Sequence, residues 1–432
     1  MIPLQGQGDE EARRRTGIPP AVRLYLYAFW VLSVFAAGIL TSARFIFHKT
    51  FVYWYPLFYP NIAGTDFSIF QDRFGSLHTI GFFRNPGFPF TYPAPDAFIF
   101  GAFFRIPSHT EIYFIGVCAL AFLGATLLFS NSLLKLGLTA AATCWIVLPT
   151  ALLGYPEWFL LNRGNIEAFC WMGTALGVWA YWHRRWYTAS VLFGLAAALK
   201  LFPFILLALL LSAKKYAALA MGVAVMIGTT VLSTYWVGPS YGEASRGVAA
   251  GLEAFRQGYV LTRLPNNIGF DHSLFVWVKL LEGRGLFARN NAFALSLYMA
   301  CVSLGGLLLY WFRIRTLPRV NQIVALLTCM VLLPPVSFEY TLVHLYIAWA
   351  VLVLFSVGWH RERQNAPSGL VPAMVAMAWL LSCQTYLLIL SHEAPLRIAG
   401  PIKGLVLAAF LGMTLWYPWR EASPRRGDRP PR

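Results

Sequence analysis

Apolar runs recur along almost the whole chain, and this repetition constrains the fold more than any other feature. Each run is about 18 to 25 residues, long enough to cross a ~30 Å hydrocarbon layer as an α-helix. In hydrocarbon the backbone must satisfy its own polar groups, which leaves helical bundles and closed β-barrels. The runs are continuous rather than alternating, so a barrel is excluded. Of 432 residues, 58% are hydrophobic and 12% charged, and the charged share is about half that of a soluble domain. The chain reads as an all-α polytopic membrane protein, not as a soluble, disordered, collagen-like or disulfide-stapled one.

The net charge of +16 does not mark a nucleic-acid binder. The basic residues sit in short clusters between apolar runs, which is the positive-inside pattern of membrane topology. Cys118, Cys144, Cys170, Cys301, Cys329 and Cys383 all fall in apolar runs without CxxC spacing, so they read as small core residues rather than metal ligands or disulfides. Spans are expected near 22–46, 111–130, 138–154, 165–182, 216–237, 291–312, 320–336, 341–359, 369–391 and 399–419. The stretch 186–213 has cations at both ends and holds Lys200 and Pro203 between them. It reads as a hairpin of two short helices broken at the proline. The expected total is about 12 transmembrane helices with both termini cytoplasmic. The first run is too long for a signal-peptide core and reads as a span. A cytoplasmic tail over 1–20, one transmembrane domain over 21–420 and a basic cytoplasmic tail over 421–432 follow. The basic tail reads as a topology signal that also touches anionic membrane lipids. Two outer loops are long, about 47–110 and 238–290, and 12 of the 18 acidic residues lie on the outer side or at the outer ends of helices. The short cytoplasmic loops leave no room for a nucleotide-binding domain, and no GxGxxG or Walker A sequence is present.

Several outer-side constellations can carry chemistry. The first outer loop holds Asp66 after Gly64-Thr65, then Asp72-Arg73, Arg84-Asn85-Pro86 and Tyr92-Pro93-Ala94-Pro95-Asp96. An aspartate at a membrane–water boundary can accept a proton from a sugar hydroxyl. Equally, Asp66 and Asp72 can cap local helices or pair with Arg73 and Arg84. They are also the pair positioned to share a cation, although no clear metal-ligand cluster stands out. The apolar stretch 97–106 is too short to span and reads as an interfacial or re-entrant helix. Asn162-Arg163-Gly164-Asn165, flanked by Glu157 and Glu167, reads as the start of a spanning helix. Such a terminus suits a lipid phosphate, and it also suits simple capping with an Arg–Glu pair. Lys200 lies deep in an apolar hairpin and requires a partner or a wet cavity. The second loop carries Arg263, Asn266, Asn267, Gly269, Asp271, His272 and Ser273. His272 is either a phosphate donor or proton shuttle, or a solvated surface group. Glu339 and Tyr340 mark a tight outer turn, with His344 one helical turn on. Belt anchoring accounts for the aromatic residues there as well as sugar stacking does.

This ordered set resembles glycosyltransferase family 87, the polyprenol-phosphate-mannose-dependent mannosyltransferases of the GT-C membrane fold. The residues that carry the resemblance are Asp66, Tyr92-Pro93-Ala94-Pro95, Arg163-Gly164-Asn165, Lys200-Leu201-Phe202-Pro203 and Ser337-Phe338-Glu339-Tyr340. The resemblance covers about 20–420. It implies a GT-C-like transferase domain in the cell membrane with its active site on the outer face. Asp66 corresponds to the family's catalytic acid, the general base on the acceptor hydroxyl. Arg163 and Lys200 occupy motif positions and are placed at the donor phosphate. His272, Glu339, Tyr340, His344, Asp72 and Arg73 complete the expected substrate-binding set. Relatives often carry a histidine after the acid of the late turn; here Tyr340 stands there, so His344 or His272 takes its part. The implied substrates are a lipid-linked sugar donor and a glycolipid or glycan acceptor, with no cofactor and no metal.

A lipid-linked sugar flippase would share broken helices and an intramembrane lysine. The two halves show no inverted repeat, and the acids cluster at the outer face rather than at midplane. A glycan ligase or polymerase would carry a large late outer loop, and the loop after 337 is short. An assembly subunit without chemistry would tolerate loss of Asp66.

Overall fold

The computed structural model describes residues 17–47, 64–84, 90–106, 108–262, 265–283, 291–362, 366–382 and 399–420. The expectations for the tails at 1–16 and 421–432, for Asn85, Pro86 and Arg263, and for the end of the 369–391 span lie outside these residues, as do the side chains of Arg84 and Asn266.

The described residues are mostly helical. The first described helix, α1 (Pro20–Phe47), precedes the segment that the sequence reads as the first outer loop, where one helical turn (Thr65–Ser68) and a 3-10 helix (Gln71–Ser76) come before α2 (Ala94–Phe104). Then come α3 (Thr110–Lys135), α4 (Ala140–Leu153), α5 (Tyr155–Arg163), α6 (Glu167–Trp182) and α7 (Trp186–Leu199). After α8 (Tyr216–Val237), α9 (Tyr241–Phe255) runs into a π-helical turn, Arg256–Val260. A short helix (Pro265–Phe270) and α10 (Phe275–Gly283) complete the second outer segment. The last set is α11 (Asn291–Phe312), α12 (Arg319–Leu332), a 3-10 turn (Glu339–His344), α13 (Leu345–Glu362), α14 (Leu370–Leu381) and α15 (Ala399–Trp416). Among the described residues there is no strand, only an isolated antiparallel bridge between Asp271 and Phe338.

Among the described residues five helices are long and apolar enough to cross a membrane, and six if α4 and α5, bent by 43°, form one broken span. The sequence led us to expect about twelve. The difference lies in shorter apolar helices of 10–17 residues, among them α7, α12, α14 and the body of α15. Burial explains why α12 need not match the bilayer: every residue from Val320 to Leu332 is buried. A helix apolar on all sides packs in the centre of a bundle. Accordingly α12 packs against α13, α15 and the segment Phe202–Leu207.

The hairpin expected at 186–213 breaks at Lys200, whose backbone is extended (φ −140°, ψ 127°). Pro203 follows in the first turn of a 3-10 helix, Phe202–Leu207, where a missing N–H costs nothing. The 97–106 stretch forms α2, whose 11 residues reach only about 16 Å. It packs on α8 and against a phenylalanine cluster. Phe67 stacks on Phe104 at 4.3 Å and on Phe114 at 4.5 Å, which fastens the first outer segment to α2 and α3.

Asn321 ties the end of α15 to α12. It is fully buried. Its Nδ2 donates to Thr414 O at 2.6 Å and Tyr417 O at 2.9 Å, and its Oδ1 accepts from Trp419 N at 2.7 Å. Replacing it with leucine strands three buried backbone groups. Asn321→Leu is expected to lose about 2–3 kcal/mol, read as a lower thermal unfolding midpoint in detergent; an unchanged midpoint refutes the assignment.

Candidate active site

Two glycines in left-handed conformation bring the first outer segment onto the bundle. Gly64 has φ +80° and Gly164 φ +59°. A Cβ on Gly164 would lie 2.7 Å from Gly64 Cα, so Gly164 has no room for a side chain, and a Cβ on Gly64 would press on Glu111 Cβ at 3.2 Å. Gly64 N donates to Asn162 O at 2.7 Å. This contact sets Asp66 against the end of α5. Arg163 Nη2 donates to Asp66 Oδ1, and Asn165 Nδ2 donates to Asp66 Oδ2 at 2.8 Å and to the Tyr92 hydroxyl at 3.0 Å. Asn165 Oδ1 accepts from Glu167 N at 3.0 Å. The Arg-Gly-Asn motif therefore makes a corner: Arg163 closes α5, Gly164 turns the chain and Asn165 caps α6. Asp66 pairs across the fold with Arg163, not locally with Arg73.

Beneath this corner lies a buried charge cluster. Glu167, on α6, is fully buried. His344 Nε2 stands 2.6 Å from its Oε1, and Lys200 Nζ stands 3.9 Å from its Oε2. The Lys200 ammonium also sits 4.6 Å from the Tyr92 ring centroid. Asp96, on α2, is fully buried, and among the described residues neither of its carboxylate oxygens has a hydrogen-bond partner. Burial pushes Asp96 well above the usual carboxylate range; Lys200 opposes the shift and Glu167 adds to it. Glu167, His344 and Cys170 form the one trio of metal-ligating side chains found among the described residues, with ligand atoms within 4.8 Å. The 2.6 Å Glu167–His344 contact is a hydrogen bond, and Lys200 already supplies a cation there.

A third group joins the second outer segment to the late turn. Glu339 pairs with Lys403 of α15, both fully buried, and the Lys403 ammonium lies 5.1 Å from the Tyr155 ring centroid. Asp271 Oδ1 accepts from Ser273 N and Ser337 N, each at 3.0 Å, and Oδ2 accepts from Lys279 Nζ at 2.7 Å. His272 Nε2 contacts Ser337 Oγ at 3.0 Å and Thr341 Oγ1 at 3.2 Å. Burial, and then the charge of Lys403, pushes the His272 imidazole well down. His272 is thus a neutral pin between two segments, not the solvated surface histidine that a loop position suggests.

An aromatic rim stands over Asp66. Tyr92, Tyr259 and Tyr340 are each half-buried and lie within its electrostatic reach. Burial and then the Asp66 charge raise the Tyr92 and Tyr259 phenols. Tyr340 stacks on Phe159 at 6.4 Å, and Phe338 lies 6.0 Å from Tyr259. Tyr259 arrives on the π-helical turn, a distortion often found at functional sites. Asp72 stands apart, exposed on the 3-10 helix, while Arg73 is buried with its guanidinium 5.9 Å from the Phe70 ring.

The structure therefore joins Asp66 to Arg163, joins Lys200 and His344 through Glu167, and sets His272 and Glu339 around the late turn. Sequence reasoning gave no role to Lys403, Lys279, Asp96 or Tyr259. Lys403 carried the same signal as Lys200, a lone cation in an apolar run.

The described residues thus form a helical bundle, with helices long and apolar enough to cross a membrane, that holds the partly exposed Asp66 carboxylate between a guanidinium and an amide beside aromatic rings. The sequence model of glycosyltransferase family 87 matches residues 90–331, more than half of the chain. The chain belongs to glycosyltransferase family 87 and is a membrane glycosyltransferase. The matched stretch contains Arg163, Lys200 and His272, while Asp66 and the late turn lie outside it. No curated protein matches the chain, and no solved structure does.

Two variants test the buried cluster. Glu167→Gln leaves Lys200 and His344 without their buried counter-charge and is expected to lose about 3–5 kcal/mol; adding Lys200→Met is expected to recover part of it. Chemical denaturation of both proteins checks this, and strictly additive losses argue against a shared cluster. Asp96→Asn tests the orphaned carboxyl. Below the ordinary value of 3.8 the folded and unfolded chains both keep the proton, so the acid costs nothing. As pH rises past that value the unfolded chain ionises first, and stability falls until the raised folded value is reached. The asparagine variant is therefore expected to melt above wild type at about pH 8, with the gap closing towards about pH 4; a pH-independent difference counts against it.

Proposed function

We propose that the protein transfers a hexosyl unit, with mannosyl favoured by the family resemblance, from a polyprenyl-phosphate sugar to a lipid or glycan acceptor at the outer face of the cell membrane. The reading takes the chain as a GT-C-like bundle with both termini cytoplasmic. One observation carries the reading. Asp96, Glu167, Asp271 and Glu339 have no solvent exposure, whereas the Asp66 carboxylate, held by Arg163 and Asn165, keeps some, at 13% of its side chain. A base must reach the proton it takes.

The donor presents its anomeric carbon beside Asp66, with the polyprenyl chain between helices. The acceptor oxygen attacks that carbon and gives its proton to Asp66. A new C–O bond forms, the carbon–oxygen bond to phosphate breaks, and polyprenyl phosphate leaves with the electron pair. Displacement in line inverts the anomeric centre. Arg163, half-exposed beside Asp66, moves its guanidinium onto the developing phosphate charge. That transfer leaves the Asp66 carboxylate open to the acceptor hydroxyl. Lys200 and Lys403 add positive potential from below. Tyr340 and Tyr259 form the wall against which a sugar ring stacks. Neither a cofactor nor a metal enters this step. A lipid-sugar flippase would share the buried Lys200–Glu167 and Lys403–Glu339 pairs, and the transfer assay separates it.

Purified protein in nanodiscs, given radiolabelled polyprenyl-phosphate-mannose and a membrane lipid extract, is expected to form labelled glycolipid. Asp66→Asn is expected to lower that rate by about 10²–10⁴-fold with an unchanged unfolding midpoint. Undiminished turnover in the variant, or label that crosses the bilayer without transfer, overturns the reading.

A further inference from the structure

The end of α12 remote from the site carries an arginine-lined cavity. Arg313, Thr316, Leu317, Pro318, Arg319, Pro418 and Arg420 line an open cavity of about 490 Å³. Among the described residues no acidic side chain lines it. The 14 residues of α12 put this cavity about 20 Å from the late turn, too far to serve the same bound group.

Several features fit the cavity to a phosphate. Three arginines line it, and guanidinium is the side chain best matched to phosphate oxygens. Arg319 is the first residue of α12, so the positive end of that helix faces the same space. The cavity is also held in shape. Arg313 Nε donates to Leu415 O at 2.8 Å, and Gln322 Nε2 donates to Leu317 O at 2.8 Å and Arg315 O at 3.2 Å.

Its surroundings identify the phosphate as that of a lipid. Trp311, Phe312 and Trp416 are exposed beside it, as aromatic residues are at the headgroup level. The Arg315 guanidinium sits 3.8 Å from the Trp311 ring centroid. Leu304, Leu307, Leu308 and Trp311 are exposed at i, i+3, i+4 and i+7, one apolar stripe leading along α11 to this level. The candidate span containing α11 is the least buried of the five. An acyl chain on that stripe ends where the arginines begin.

We propose that this cavity binds the phosphate headgroup of an anionic membrane phospholipid, whose acyl chains lie along α11. The site is separate from Asp66 and does not depend on the transfer reaction.

Native mass spectrometry of the full chain tests it, with dioleoyl phosphatidylglycerol, dioleoyl phosphatidylcholine and inorganic phosphate as probes. Wild type is expected to retain phosphatidylglycerol at about tenfold lower concentration than phosphatidylcholine. Each arginine removed is expected to weaken phosphatidylglycerol about fivefold, so Arg319→Gln with Arg420→Gln abolishes the preference. Arg420→Gln alone touches only an exposed side chain and serves if the double variant fails to fold. Arg246→Gln, an exposed arginine on α9, is expected to change nothing. Equal retention of the two lipids by wild type, or an undiminished preference in Arg420→Gln and the double variant, overturns the proposal. Displacement of the lipid by millimolar inorganic phosphate would mean that the cavity reads free phosphate, and would overturn the lipid assignment.

Discussion

Glu167 has no contact with solvent and is held between His344 and Lys200, and the rest of the site hangs from that buried carboxylate. Each partner comes from a place where a helix is interrupted. Glu167 opens α6 after the Gly164 corner. Lys200 is the extended residue after α7. His344 ends the 3-10 turn before α13. Interrupted helices free backbone groups that hydrocarbon cannot satisfy, so they are tolerated only inside protein or around a wet cavity. One shared ion cluster lets three breaks meet in the same small volume.

The water-accessible layer is built on the buried one. Asn165 uses its Oδ1 to cap Glu167 N and its Nδ2 to hold Asp66 and Tyr92. Its rotamer is therefore set by α6 beneath and read out at the carboxylate above. Tyr92 lies against Lys200 on one side and Asn165 on the other. The position of Asp66 is fixed from both neighbours, and its own turn adds only the two-glycine contact that lets it approach.

Much of this was legible in the sequence because lone charges in apolar surroundings are conspicuous. Asp66, Arg163, Lys200 and Glu339 stood out for that reason, and the break near Pro203 followed from charges at both ends of the hairpin. Pairing was not legible. Glu167 and His344 lie 177 residues apart, and Glu339 and Lys403 lie 64 apart, distances at which no periodicity acts. Burial of a loop residue was equally hidden: His272 is enclosed because α15 packs directly on the 271–273 backbone, where Gly400 and Gly404 leave room. The span count rests on apolar length, and that criterion holds only for helices that face lipid. The fully enclosed α12 escapes it.

Three of the site's ion pairs differ in burial, and the difference bears on what each cation can do. Lys403–Glu339 has no exposure on either side chain, and Lys200–Glu167 has 16% and 0%. Breaking a pair of that kind strands a buried charge, at about 3–5 kcal/mol. Arg163–Asp66 has 28% and 13%, and a pair with that access to water is worth far less, nearer the ~1 kcal/mol of surface pairs. On the proposed reading an incoming phosphate draws Arg163 towards it and leaves the two lysines where they are. The family resemblance assigns Arg163 and Lys200 alike to the donor phosphate. The burial pattern favours a division of that proposed assignment: Arg163, the more exposed cation, turns towards substrate, and Lys200 acts through the field it sets up beside Tyr92 and Glu167.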